Sequence, residues 1–325
     1  TLSVIYEEYK NGDIEVPEFQ RNFVWSMKQS SLLIESFLLG LPVPQIFLHV
    51  NENNRYLVID GQQRILSVVY YLDGYFGEET THARRRVFRL QGLSDRSPYG
   101  GKKFLDLDPD AQRKLKGAVL RAINIRQIRP TGDPTSIYHI FERLNTGGTP
   151  LKPQEIRNCV FRGNLVNELR RLNEDANWRE IIGKSTFDRH QKDVELVLRL
   201  FALACFWRDY ESPLKGFLNK TLRDHRDAKS PEVTKFKRDF PRLTQCVIEA
   251  LGDKPFHIRR YLNAAVLDSV MSVLFSVVGT PPDDLKERYD RLKADEGYLD
   301  LVSRSTADSS RLRERFDLAQ RFLIG

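Results

Sequence analysis

The stretch from Val58 to Val69, VIDGQQRILSVV, sets Asp60, Gly61, Gln62, Gln63 and Arg64 between an apolar strand-like run and an apolar helix-like run. Upstream, residues alternate in character over Gln45 to Val50 and again over Arg55 to Ile59, around the turn-rich Asn51 to Asn54, which predicts a hairpin. Downstream, Ile65, Leu66, Val68, Val69 and Leu72 recur at helical spacing until Asp73-Gly74. The second strand therefore runs straight into a helix. Such a turn gathers unpaired backbone N–H groups at the positive end of a helix dipole, which makes it an anion site. Gly61 would let a ligand approach the backbone, Arg64 offers a planar fork for phosphate oxygens, and Gln62 or Gln63 could orient a water or a base edge. Asp60 could hold Mg²⁺ or polarise an attacking water. A structural reading uses the same residues, with Asp60 as helix cap and Gln63 as its capping-box partner.

Working outward, Val16 to Phe19 reads as a short strand ending in Gln20-Arg21. Ser26-Met27-Lys28-Gln29 is a capping-box pattern for a helix through Leu39, closed by Gly40. Residues 75–118 form a long excursion in which Asp108-Pro109 opens a helix, and a strand follows from Ala122 to Ile128. Ile137, Ile140, Phe141 and Leu144 mark one face of a helix that stops at NTGGTP, residues 145–150, and a new helix starts near Pro153. Beyond this the pattern is helical throughout. The expected architecture is α+β: an α/β domain over residues 1–150 followed by an all-helical domain over 151–325.

With 325 residues and 41% apolar content the chain can fill two cores. The apolar runs Val194 to Trp207 and Ala264 to Val278 are interrupted by Glu195 and Arg199 and by Asp268, so neither suits a bilayer. No secretory leader is legible, and the cytoplasm is the expected location. Cys159, Cys205 and Cys246 are odd in number and far apart, as reduced core thiols would be. Of the net charge of +7, residues 1–75 carry −4 and the remainder +11. Together with Arg84-Arg85-Arg86, that imbalance suits a polyanion, most naturally nucleic acid. Apolar residues of the helical half would also allow a homo-oligomer. The six histidines are scattered; Asp188, His190 and Asp193 read as the polar start of a helix, and Asp106, Asp108 and Asp110 as a helix cap.

Three stretches in this order resemble the motifs of the DGQQR-type domain at the N-terminus of GmrSD-like restriction enzymes. They are Pro17 with Phe19-Gln20-Arg21 and Val24-Trp25; Ile59 to Ile65; and Phe141-Glu142-Arg143-Leu144-Asn145 through Gly148, Leu151 and Glu155-Ile156. The resemblance covers the first 160 residues or so. It implies a ParB/sulfiredoxin-like fold and a nucleotide-binding, nucleotide-hydrolysing module that senses DNA, modified DNA in some members, and couples nucleotide state to cutting. On that basis Gln20, Arg21, Gly61, Gln62, Arg64, Arg143 and Asn145 line a nucleotide pocket. Asp60, Gln63 and Arg64 promote NTP turnover, with Asp60 as the Mg²⁺ ligand. Sulfiredoxin chemistry is not expected, because no cysteine lies near Asp60 to Arg64. The HNH nuclease unit that usually accompanies the domain is not legible here, so cutting would fall to a separate nuclease subunit, to a domain outside this sequence, or to none. Two other readings stay open. One is a ParB-like metal-dependent nickase using Asp60 with Glu18 or Glu142, which the scarcity of carboxylates disfavours; the other is a DNA- or nucleotide-binding module without turnover.

Overall fold

In the computed structural model, which describes residues 1–16, 23–51, 53–77, 86–126, 135–144, 152–161, 163–188, 190–258, 260–278 and 281–325, the hairpin around Asn51 forms the centre of a four-stranded sheet. The chain runs through α1 (Leu2–Lys10), β1 (Ile14–Glu15), α2 (Met27–Leu39), β2 (Ile46–Val50), β3 (Tyr56–Asp60) and α3 (Gln62–Asp73). A ribbon of β4 (Tyr75–Phe76) and β5 (Arg86–Val87) follows, then α4 (Pro109–Gly117), β6 (Ala122–Ile125) and α5 (Thr135–Leu144). These elements make one compact unit, Thr1–Pro150. Strand order is β1-β3-β2-β6, with β1 parallel to β3, β2 antiparallel to β3 and β6 parallel to β2.

Local chemistry explains most of these boundaries. Ser26 caps α2 by accepting from the Gln29 N–H while the Gln29 side chain returns to the Ser26 N–H at 2.9 Å, and Gly40 ends the helix in left-handed conformation. Asp108 accepts from the Ala111 N–H at 2.8 Å and opens α4 just before Pro109. Asn51 holds the hairpin turn by accepting from the N–H groups of Asn53 and Arg55, both at 2.9 Å. One face of the sheet carries Ile46, Leu48 and Val58 into a core with Leu2, Ile34, Phe37, Ile65, Val69, Phe88 and Leu115. Helix α5 packs on β3 and buries Tyr138 and Phe141.

Strand β1 at Ile14–Glu15, fixed by the Tyr56 N–H donating to the Asp13 carbonyl at 2.8 Å, is an addition to the sequence reading, and the strand expected over Val16 to Phe19 lies, apart from Val16, outside the described residues. Residues 17–22 lie outside the described residues. Helix α1 is an addition to the sequence reading; Leu2 and Ile5 bury one side of it while Glu7 and Lys10 face water.

The second unit, residues 151–325, contains α6 (Pro153–Val160), α7 (Asn164–Leu172), α8 (Ala176–Ile181), α9 (Lys192–Phe206), α10 (Leu214–Asp224) and α11 (Pro231–Leu251). A two-stranded ribbon, β7 (His257–Ile258) and β8 (Tyr261–Leu262), precedes α12 (Ala264–Phe275), α13 (Leu285–Ala294), α14 (Glu296–Leu301) and α15 (Ser309–Leu323). The ribbon corrects the expectation of an all-helical domain. Helix α12 is buried along its whole length from Ala265 to Phe275, and it packs against α9, α11 and α15. Its one charge, Asp268, is 1% exposed and is bound by both Nε and Nη2 of Arg199. A buried carboxylate of this kind persists only with such a partner. No helix among the described residues is long and apolar enough to cross a membrane.

His49 stands out in the sheet. Alternation along β2 turns it away from the face of Ile46 and Leu48, it is 8% exposed, and neither ring nitrogen has a hydrogen-bond partner among the described residues. Burial pushes its pKa below the ordinary 6.5. The unfolded chain therefore binds the proton more readily, so the stability supplied by the neutral ring is complete above about pH 6.5 and is lost as pH falls below that value. Thermal unfolding measured from pH 7.5 to 5 is expected to show this decline, and His49→Leu is expected to flatten it.

Candidate functional site

The turn from Asp60 to Arg64 depends on the end of the hairpin. Leu48 pairs with Val58 and Phe47 with Asp60, so Ile59 is an extra residue in β3. Bulges of this kind re-aim the residue that follows them, and here that residue is Asp60. Gly61 comes next with φ +100° as the N-cap of α3. A Cβ at Gly61 would lie 2.2 Å from Ile46 Cγ2 and 2.7 Å from Ile46 Cβ. Glycine is required twice over, by the left-handed backbone and by the side chain of β2 seated against it.

The expected capping role of Asp60 is not what forms. The N-cap is Gly61, α3 has no side-chain cap, and the first helical bond runs from the Ile65 N–H to the Gly61 carbonyl at 3.0 Å. The N–H groups of the first turn, Gln62 to Arg64, are thus without helical acceptors. Asp60 Oδ2 instead accepts from Arg64 Nη2 at 2.6 Å, and the same Nη2 donates to the Gln45 carbonyl at 3.1 Å. The pair is partly buried, with side-chain exposures of 23% for Asp60 and 14% for Arg64. Among the described residues Arg64 Nε and Nη1 have no partner, and Nε is buried. Asp60 Oδ1 likewise carries no hydrogen bond among them.

The two glutamines divide. Gln63 Oε1 accepts from the backbone N–H groups of Val24 and Trp25, each at 3.1 Å. Its own carbonyl accepts from Ser67 Oγ at 2.6 Å, and that hydroxyl also meets Ser30 Oγ of α2 at 2.9 Å in a buried contact. Gln63 therefore hangs the Val24-Trp25 segment on α3, which joins two of the three motifs. Gln62, half-buried one position earlier, is the member of Asp60 to Arg64 whose side chain makes no hydrogen bond to the described residues.

The remaining expected site residues fall differently. Gln20, Arg21 and Asn145 lie outside the described residues. Arg143 is exposed in the last turn of α5, the helix that packs on β3, and has no ion-pair partner among the described residues. Glu142 lies 3.7 Å from His139 Nδ1. The acidic stretches resolve into fold contacts: Asp193 is buried and bound by Arg179 Nη1 at 2.8 Å, Asp188 accepts from the His190 N–H at 2.8 Å, and Asp106 pairs with Arg89 at 3.0 Å. The Gln45 carbonyl and Ile46 were missed in the sequence, where nothing but their position at a strand start sets them apart. Glu155, at the end of the third motif, is 4% exposed, accepting from the Lys152 N–H at 2.6 Å and facing His190 Nδ1 at 3.3 Å. Next to it Arg157 is buried among Gln154, Glu195 and Asn219, all at 2.8–2.9 Å. These residues pack α6 within the second unit. Burial pushes the Cys205 thiol up to about 12, and Cys246 upward as well, so both stay protonated at neutral pH.

The first unit is thus a mixed-sheet domain whose strand–turn–helix junction presents backbone N–H groups and a fixed guanidinium at one point. Residues 2–162 match the family model of the GmrSD restriction endonuclease N-terminal domain, and this half of the chain belongs to that family. No curated protein matches the chain.

Two substitutions separate packing from chemistry at the turn. Gly61→Ala forces a left-handed Cβ into Ile46 and is expected to cost about 2–4 kcal/mol in chemical denaturation. Gln63→Ala is expected to cost about 1–3 kcal/mol and to speed hydrogen exchange at the Val24 and Trp25 amides. Unchanged exchange at those two amides would remove the bracket role.

Proposed function

We propose that the first unit is the nucleotide-binding, NTP-hydrolysing regulatory module of a DNA restriction system, with a ParB/sulfiredoxin-like fold and with its phosphate site at Asp60 to Arg64. The observation that carries this reading is the split within the motif. Gly61, Gln63 and the Asp60–Arg64 pair are committed to the fold, yet the turn retains helix N–H groups with no side-chain cap and, among the described residues, an uncommitted Gln62 and two guanidinium nitrogens without partners. A fold that needed only a helix start would have used a Ser or Asp cap, which adds stability at no further cost. An uncapped N-terminus beside arginine is suited to an anion.

In this reading the phosphates lie across the N–H groups of Gln62 to Arg64, and Arg64 turns Nη1 toward them while Nη2 stays on Asp60. Gln62 orients the attacking water or the base. Gln20, Arg21, Arg143 and Asn145 complete the pocket. Among the described residues no group of three His, Cys, Asp or Glu side chains stands together. One carboxylate with an open oxygen suits Mg²⁺ that arrives on a nucleotide and keeps most of its water. Asp60 Oδ1 would hold it, and the ion would neutralise phosphate charge. The DNA partner follows from the restriction family and the basic balance of the chain; a nuclease acting in trans would do the cutting.

Phosphate release by the purified chain with each NTP and Mg²⁺, with and without DNA, tests the reading. Gln62→Ala is expected to lower turnover at least tenfold while the unfolding free energy stays within about 0.5 kcal/mol, as for a surface change. Arg64→Lys, which keeps the charge but loses the fork, is expected to weaken nucleotide binding about tenfold or more. Nucleotide binding unchanged in both variants would sink the phosphate site. Metal-dependent nicking of plasmid DNA lost in Asp60→Asn, without NTP turnover in the wild type, would select the nickase reading.

A further inference from the structure

The ribbon of the second unit is built to hold an exposed ring in place. Its strands pair His257 with Leu262 and Ile258 with Tyr261, so Ile258 and Tyr261 stand side by side on one face. Both face solvent, and Tyr261 is 80% exposed, the most exposed of the large apolar side chains among the described residues. The base is fixed: Phe256 is buried edge-on against Tyr289, the Tyr289 hydroxyl donates to the Pro255 carbonyl at 2.8 Å, and the Asn263 N–H donates to the Phe256 carbonyl at 2.9 Å. Lys254 and Arg260 have positive φ, 49° and 74°, a conformation costly for residues with a Cβ. Both are exposed, and neither has an ion-pair partner among the described residues. The one carboxylate beside them in sequence is the exposed Asp253.

A second ring stands on the adjoining loop. Gly183 lies so close to the ribbon base that a Cβ there would be 3.1 Å from His257 Nε2 and from Lys254 Cε. Four residues on, Phe187 is 63% exposed, with the Arg179 guanidinium 4.8 Å from its ring centroid. Arg179 also donates to the Lys184 carbonyl at 2.9 Å and pairs with Asp193, so the loop is braced from beneath. Lys184 Nζ sits 3.4 Å from Asp188 at the same loop.

We propose that loop 183–188 and the β7–β8 ribbon form a binding surface for single-stranded nucleic acid. Tyr261 and Phe187 stack on bases, and Lys254 and Arg260 meet phosphates. Exposed ring faces beside unpaired cations, on braced backbone, are the elements of such a surface. Duplex bases have no free faces to offer those rings, which sets single strands apart. The surface belongs wholly to the second unit and does not rest on the nucleotide reading of the first.

Anisotropy of a fluorescein-labelled dT20 titrated with the full chain, beside a 20-base-pair duplex and over 50–200 mM salt, decides it. The wild type is expected to prefer dT20. Tyr261→Ala and Phe187→Ala are each expected to weaken that binding fivefold or more, in line with stacking of a base, and Tyr261→Phe to restore it. Lys254→Asn with Arg260→Asn, chosen because Asn accepts a positive φ, is expected to reduce the slope of log K against log salt by about 1.4. Thermal melts and NTP turnover of these variants are expected to match the wild type. Equal or tighter binding of duplex, binding indifferent to these four residues, or no binding to dT20 would each overturn the proposal. Capture by phosphatidylglycerol vesicles without oligonucleotide binding would overturn it too, in favour of a lipid surface.

Discussion

The seating of Ile46 against the bare α-carbon of Gly61 governs the geometry of the first unit. It draws the start of β2 against the end of β3, which brings the Gln45 carbonyl within 3.1 Å of Arg64 Nη2. The guanidinium is then fixed from two sides, by that carbonyl and by Asp60 one turn before it. The bulge at Ile59 belongs to the same arrangement, since the extra residue lets two buried side chains, Val58 and Ile59, precede a charged one without moving Asp60 into the core. A larger residue at 61 would separate β2 from β3 and release the arginine.

Once the turn is set, each letter of the motif has a separable physical task. Asp60 neutralises and orients Arg64; Gly61 permits the turn; Gln63 carries the Val24-Trp25 segment; the Ser67 hydroxyl, bonded to the Gln63 carbonyl, ties α3 to α2 through Ser30. The described thiols of the chain, Cys205 and Cys246, lie in the second unit, where burial raises the pKa of both. The junction keeps its anion-attracting groups in a setting too rigid for them to collapse on one another. Preorganisation of that kind is what a phosphate site needs.

The second unit spends its polar residues differently. Buried charges there are paired within the helical core, as Asp268 with Arg199 and Asp193 with Arg179, and Arg315, 1% exposed, donates to the carbonyls of Leu301 and Thr306. The last part of the family motif, Glu155-Ile156, lies on α6, whose polar side works as helix-to-helix packing. That end of the third motif thus serves packing in the unit that follows the sheet.

The sequence by itself determined what rests on contacts a few residues long. The capping box at Ser26, the Asp108-Pro109 start, the Gly40 and Gly74 ends, the hairpin around Asn51 and the strand–turn–helix at Asp60 are all of this kind, because caps and periodicity act within one or two turns. Motif order likewise revealed the family. Only the tertiary structure decided the N-cap, since Asp60 had a choice between the helix N–H groups and Arg64, and the bulge that aims it comes from pairing with β2. Only the tertiary structure assigned Gln63 to amides 38 and 39 residues away and paired Ile14–Glu15 with β3, which offers a parallel edge there. The ribbon at His257 to Leu262 had too few residues to show a period of two. Such contacts join residues far apart in the chain, and a one-dimensional pattern carries no record of which distant backbone groups will be left wanting a partner.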